Sequence, residues 1–331
     1  MSNRDNPSVD DLGEWGLISE LAARMPSGPG VSIGIGDDSA VIAAPGGQVV
    51  AAVDMLLEGR HFLMKWSSAT DVGTKAAARS LADIAAMGAS STALLVSLAA
   101  PGSLSASWAL SLASALAAEA ARAGASVVGG DTASADSVML SVTALGTLPG
   151  RVVTRSGAQP GDVVAVAGRL GRSAAGLALL SAGYTPAPAA DPTNPTGPSG
   201  LDDLIAAHLR PSPDYAAGPQ AARLGATAMI DTSDGLLADL GHVADASGVV
   251  IDIDSSSLDI EDLRPAASAL GADPLSWALN GGEDHALAAT FPPSADLPAN
   301  WHIIGAVRSG GPAILVDGAP HAGPTGWQHF R

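Results

Sequence analysis

The stretch ATAMIDTSDGLLADLGHVADASG, residues 226–248, sets the fold class. Its first six residues, ATAMID, form a short apolar run of strand type. Leu236, Leu237, Leu240, Val243 and Ala244 then recur at helical spacing, and Gly248 closes the pattern. A strand that passes into a helix through a short acidic turn indicates an α/β unit. Acids at such a junction lie where α/β proteins place binding groups. Ser233 or Asp234 is the expected N-cap of the helix, so either acts as a structural cap, a ligand contact, or both.

The alternation continues along the chain. Strands are expected at 48–56, 92–100, 126–128, 138–148 and 162–168, and again in VVIDID and HALAATF. Helices are expected at 70–87, 105–123 and 173–181. The segment 182–200 is rich in Pro, Gly and Ser and reads as a surface loop or linker. The whole is α/β or α+β. With 331 residues, two domains are expected, 1–150 and 151–331.

Composition limits the partners. Sixteen basic residues stand against 33 acidic ones, a net charge of −17. This argues against nucleic acid as a partner, because no basic footprint exists to displace counterions from phosphates. Cysteine is absent, which removes disulfides, thiolate chemistry and Cys-based zinc sites. No 18-residue apolar run free of charge appears, and the first fifteen residues lack the apolar core of a signal peptide. The expectation is a cytoplasmic protein without membrane spans.

The acids carry the functional signal. Asp37 and Asp38 adjoin in GIGDDSAVI, 34–42; Asp54 ends VVAAVD; Asp131 lies in VVGGDT just past a strand; Asp231 and Asp234 bracket the junction quoted above. Asp83 falls late in a helix, where a carboxylate opposes the macrodipole, and shares one face with Lys75 and Arg79 at spacings of four. Singly, each acid can support a turn or pair with a neighbouring base. Converging, they require cations, and oxygen-only ligands suit Mg²⁺. Magnesium bound by carboxylates usually accompanies a phosphorylated ligand. There is no P-loop, and the turn Gly34-Ile35-Gly36 lacks the third glycine of a dinucleotide fingerprint. Gly-rich loops at 129–130, 168–171 and 281–282 allow backbone to approach a ligand, and Arg155 can pair with a phosphate or with a surface acid.

GIGDDSAVI, DMLLEGRHF, KAAARSLADIAAMGA, VVGGDT, TRSGAQPGD, LRPSPDY, MIDTSDGLLADLGH, LNGGEDHAL and GWQHF occur in that order, within a likeness that runs from about Leu12 to Phe330. This ordered set resembles the thiamine-monophosphate kinase family, of the aminoimidazole ribonucleotide synthetase-like superfamily. The resemblance implies an N-terminal α/β domain whose sheet packs on its twin in a homodimer, a C-terminal α/β domain, and ATP between them. It implies phosphorylation of thiamine monophosphate by ATP with several Mg²⁺ ions. By motif it makes Asp38, Asp54, Asp83, Asp131, Asp231 and Asp234 metal ligands. Gly130, Asp131, Arg155 and Ser233 become ATP contacts, and His61, Glu283 and Trp327 contacts of the thiamine substrate; no residue acts as a covalent nucleophile. The family often carries hydroxyl residues just before the aspartate of the second motif, where Ala52 and Val53 stand here. Superfamily relatives that use a reactive Cys are disfavoured by its absence, and a calcium-loop protein by the lack of a D-x-D-x-D-G run.

Overall fold

A computed structural model describes residues 31–33, 40–44, 47–185, 200–323 and 325–327. Asp37 and Asp38, most of the expected loop at 182–200 and the last four residues lie outside the described residues.

Two sheets form the frame. The first contains β1 (Val31–Ile33), β2 (Ala40–Ala44), β3 (Gly47–Leu57), β4 (Ser90–Ala100), β5 (Ser126–Ser134) and β6 (Met139–Thr147), in the order β1-β2-β3-β6-β4-β5. Only β4 and β5 pair in parallel, joined by the crossover helix α2 (Ala106–Arg122); α1 (Ala69–Ala86) lies beside α2. A Cβ on Gly73 of α1 would stand 2.5 Å from the Leu112 carbonyl oxygen, so glycine sets how closely these helices cross. The apolar core between them and the sheet includes Val50, Leu56, Leu81, Ile84, Leu94, Leu112 and Leu140.

The second sheet contains β7 (Val163–Ala167), β8 (Ala228–Asp231), β9 (Val250–Ile253), β10 (Leu287–Phe291), β11 (Trp301–Arg308), β12 (Ala313–Val316) and β13 (Ala319–Pro320), in the order β13-β12-β9-β11-β7-β10-β8. Helices α3 (Arg172–Ser181), α4 (Gly200–Leu209), α5 (Ala217–Leu224), α6 (Leu236–Ser247), α7 (Arg264–Leu270) and α8 (Pro274–Asn280) surround it. One apolar cluster joins Val164, Leu179, Leu204, Ile230 and Leu240. A second gathers Ala165, Met229, Phe291 and Trp301 with Ala85 and Ala86 of α1.

α1 is thus covered by both halves of the chain, and 14 of its 18 residues are buried. Its Ala-rich sequence suits that position, since small side chains let flanking layers approach. With almost no solvent face, each polar group on α1 needs an internal partner. Those partners define the site.

Two expectations about strands are corrected. Asp54 lies inside β3 rather than at its end, and Asp131 lies inside β5 rather than past a strand. In the second case the ladder with β4 carries the strand through Gly129 and Gly130, against the weak strand propensity of glycine.

Candidate active site

Asp71, Lys75, Arg79 and Asp83 occupy one stripe of α1. Asp71 closes a capping box with Ser68 and accepts a 2.5 Å ion pair from Arg210. Lys75 is 2% exposed and donates from Nζ to Glu283 Oε2 at 2.7 Å. Arg79 donates from Nη1 to Glu283 Oε1 at 3.0 Å, while its Nη2 stands 3.8 Å from Asp54 Oδ1. Ser80 Oγ donates to the other Asp54 oxygen at 2.8 Å. Burial opposes the Arg79 charge, but Glu283, Asp54, Asp83 and Asp231 outweigh it and hold its pKa above the ordinary value. One guanidinium therefore sits in the field of four carboxylates, two from each half of the chain.

The second half supplies its acids through loops that meet backbone to backbone. Asp231 ends β8, and His285 pairs with it, Nδ1 to Oδ2 at 2.9 Å, both buried. Glu283 N donates to the Ser233 carbonyl and His285 N to the Thr232 carbonyl. A Cβ on Gly282 would lie 2.5 Å from the Ser233 carbonyl oxygen, so only glycine permits this approach. Glu283 and His285 have φ of 63° and 52°, left-handed conformations that cost non-glycine residues energy and often mark functional loops. Trp327 N donates to the Asp234 carbonyl at 3.0 Å, which seats the exposed Trp327 against the same junction.

The expected N-caps are corrected: Gly235, rather than Ser233 or Asp234, stands at the N-cap of α6. Asp239 Oδ2 instead accepts from Asp234 N and Gly235 N. Burial, then Asp231 and Asp234, raise the Asp239 pKa well above the carboxylate range. At the loop 168–171, Asp284 accepts from Gly171 N at 2.5 Å and Ser173 N at 2.8 Å. A carboxylate thus occupies the N-terminus of α3, where a phosphate would otherwise be drawn.

Among residues singled out in the sequence, Asp54 and Glu283 pair with Arg79, and Asp83 and Asp231 act on it through their charge. His61 joins through its carbonyl, 3.5 Å from Lys75 Nζ, and its Nδ1 accepts from Leu57 N, which leaves the proton of neutral His61 on Nε2. Asp234, Ser233 and Trp327 line the adjoining loop. Arg155 lies in a loop tied to Ser247 and affects His242, well along α6 from Ser233. Asp131 stands apart. The row Val53, Thr143, Leu95 and the next row Met55, Ser141, Ser97, Asp131 share one sheet face, whereas Asp54 aligns with Val142, Val96 and Gly130 on the other. Three strand spacings, about 14 Å, separate Asp131 from Asp54 across the sheet. Asp38 lies outside the described residues.

Residues 36–148 match the family described as AIR synthase related protein, N-terminal domain. Thiamine-monophosphate kinase of Mycobacterium tuberculosis is 45% identical over 329 residues, covering 98% of this chain and 94% of that protein. The chain belongs to the thiamine-monophosphate kinase family. The Corynebacterium glutamicum protein of that name is 39% identical, with 99% of this chain and 97% of that one covered. The fold agrees: the structure described as AaThiL complexed with AMPPCP and TMP matches with a TM-score of 0.87 at 32% identity, covering 98% of this chain and 99% of that one.

In this thiamine-monophosphate kinase family chain the donor chemistry fits Mg²⁺: the gathered ligands are carboxylates, with no cysteine available. Among the described residues no three His, Asp or Glu side chains stand close enough to enclose a metal by themselves. Sequence reading missed Asp284 and His285, whose partners are distant in sequence, and Asp239, which binds the backbone of its own helix start, and saw the Lys75 stripe without its acceptor.

Proposed function

We propose that this protein phosphorylates thiamine monophosphate to thiamine diphosphate, with ATP as donor and Mg²⁺ as required ion, by direct in-line transfer. What carries the reading is the convergence of Asp54 and Asp83 with Asp231 and Glu283 on Arg79, in a chain of this family. The likeness to a structure complexed with AMPPCP and TMP supports the pairing of a nucleotide with a phosphate-bearing second ligand.

The acceptor is a phosphate monoester whose second pKa is about 6, so it is largely dianionic at pH 7 and needs no strong base. The barrier is the repulsion between two anions. Mg²⁺, when bound, supplies the neutralising charge that lets them meet. Asp54, Asp83, Asp231 and Asp234 would hold several such ions between them, with Asp38 and Asp131 as further ligands by motif. This chain's own residues prepare those carboxylates. Ser80 and Arg79 fix the two oxygens of Asp54, and His285 fixes Asp231. Gly130, Asp131, Arg155 and Ser233 serve ATP, and His61, Glu283 and Trp327 flank the thiamine moiety. No covalent intermediate with the protein forms.

We also infer a homodimer, two domains divided at residue 150, and a cytoplasmic reaction. Val53, Met55 and Leu95 are 63%, 48% and 40% exposed on the face of the first sheet that carries no helix. Such an apolar face favours association with a second copy, which would set Asp131 at the junction between copies. No helix among the described residues is long and apolar enough to cross a membrane.

The test is incubation of the full chain with ATP, MgCl₂ and thiamine monophosphate. Thiamine diphosphate is the expected product; none under saturating conditions overturns the reading.

A further inference from the structure

Arg79 is an unusual neighbour for metal ligands. It is nearly buried on a helix that both halves of the chain cover, so its position is set by the fold rather than by solvent. It touches Glu283 directly and reaches Asp54, and it feels Asp83 and Asp231. Its Nε is buried and lacks a hydrogen-bond partner among the described residues, so charge rather than a complete hydrogen-bond set holds the group there. Asp54 has both oxygens engaged, one by Ser80 and one by Arg79, and the side chains of its strand neighbours Val53 and Met55 carry no oxygen. Formally, Asp54, Asp83, Asp231 and Glu283 contribute four negative charges and Lys75 and Arg79 two positive ones. The centre is left at −2, which one dication would neutralise, where loss of Arg79 would leave −3.

We infer that Arg79 is a positioning residue that acts as a resident counter-cation: it holds the Asp54 side of the acidic centre together without metal and lowers the demand of that side for Mg²⁺. This rests on the reading that these carboxylates take Mg²⁺. A fixed guanidinium keeps the acids from repelling one another in the empty enzyme. It also limits how much Mg²⁺ the chain accumulates before ATP arrives, because a dication near Asp54 must share that carboxylate with a cation the fold keeps in place.

The experiment follows thermal denaturation and calorimetric titration with MgCl₂ alone on the full chain, as wild type, R79M, R79Q and R79K. Without Mg²⁺, R79M and R79Q should melt below wild type, and R79K close to it. Added MgCl₂ should raise the Tm of R79M and R79Q more than that of wild type, with Mg²⁺ bound about tenfold more tightly, a change of about 1.4 kcal/mol. R79K should follow wild type, since it retains the charge. A merely structural role would lower the Tm without changing Mg²⁺ affinity, and that result overturns the inference. If R79M does not fold, the R79Q and R79K pair still separates charge from side-chain polarity, and equal Mg²⁺ affinities in that pair overturn it. Mg²⁺ that binds every chain equally defeats the Arg79 proposal alone. Mg²⁺ that binds none defeats the metal reading as well.

Discussion

Lys75 Nζ donates to Glu283 Oε2 at 2.7 Å across 208 positions of sequence. The contact joins a helix of the first half to a left-handed loop of the second, and Arg79 takes the other oxygen of the same carboxylate. Burial disfavours the Glu283 charge, yet Lys75 and Arg79 hold its pKa well below the usual carboxylate range. Two buried cations on one carboxylate fix where the loop GGEDHAL sits, and with it Ser233 and His285.

Removing one partner leaves a buried charge, so K75M should destabilise the protein by about 3 kcal/mol, near the low end for a broken buried pair, because Arg79 still serves Glu283. The double variant K75M/E283Q should lose less than the sum of the single losses. Urea unfolding of the four chains measures this; additive losses would mean that the two groups do not interact.

The loop approach also predicts a separation of fold from activity. G282A should retain most of its helical and strand signal while kinase turnover falls steeply, since a Cβ 2.5 Å from the Ser233 carbonyl oxygen must push the two loops apart. Circular dichroism together with steady-state kinetics checks it, and wild-type turnover in G282A would show that the loops need not touch.

Acid stability depends on His208. Burial, reinforced by Lys75, lowers its pKa to about 3, and its Nδ1 bonds Ser173 Oγ at 3.0 Å. The folded value lies below the unfolded one near 6.5, so the unfolded chain binds the extra proton first. The stability this neutral group allows is complete above about pH 6.5 and is lost as pH falls toward 3. Below the usual carboxylate value Glu283 adds a loss of the same sign. H208Q should flatten stability against pH between about 6.5 and 4.5, where Glu283 does not yet titrate. An unchanged slope in denaturant titrations across that window contradicts the assignment.

Asp239 offers a contrast between two substitutions. Burial, with Asp231 and Asp234 nearby, raises its pKa and so disfavours its charge, and it accepts from two backbone N–H groups. D239N, which keeps the shape and an acceptor oxygen while removing a charge that burial disfavours, should keep near-wild-type stability. D239A, which strands both donors, should lose about 1–3 kcal/mol. Thermal melts at pH 7 distinguish them, and equal losses would remove the hydrogen-bonding role.

Much of this was legible in the sequence, for identifiable reasons. Local periodicity located α1, α2, α3 and α6 within a residue or two, because their apolar stripes match the 3.6-residue repeat. The stripe Lys75–Arg79–Asp83 was visible for the same reason. Its acceptor was not, because nothing local ties residue 75 to residue 283. Asp239 reads as an ordinary polar helix residue, yet the fold buries it. Strand pairing extended β5 through two glycines that local propensity treats as a stop. Face assignment across the first sheet, which separates Asp131 from Asp54, required the register of four strands at once.

The central claim is that carboxylates from both halves act together in one phosphoryl transfer. Its most direct test measures passage of ³²P from the γ position of ATP into thiamine diphosphate by wild type, D54N, D83N and D231N at saturating MgCl₂. Wild type should transfer label, and each variant should fall by about a hundredfold or more, whichever half its aspartate comes from. Wild-type transfer by D231N, or by D54N and D83N together, would contradict the account.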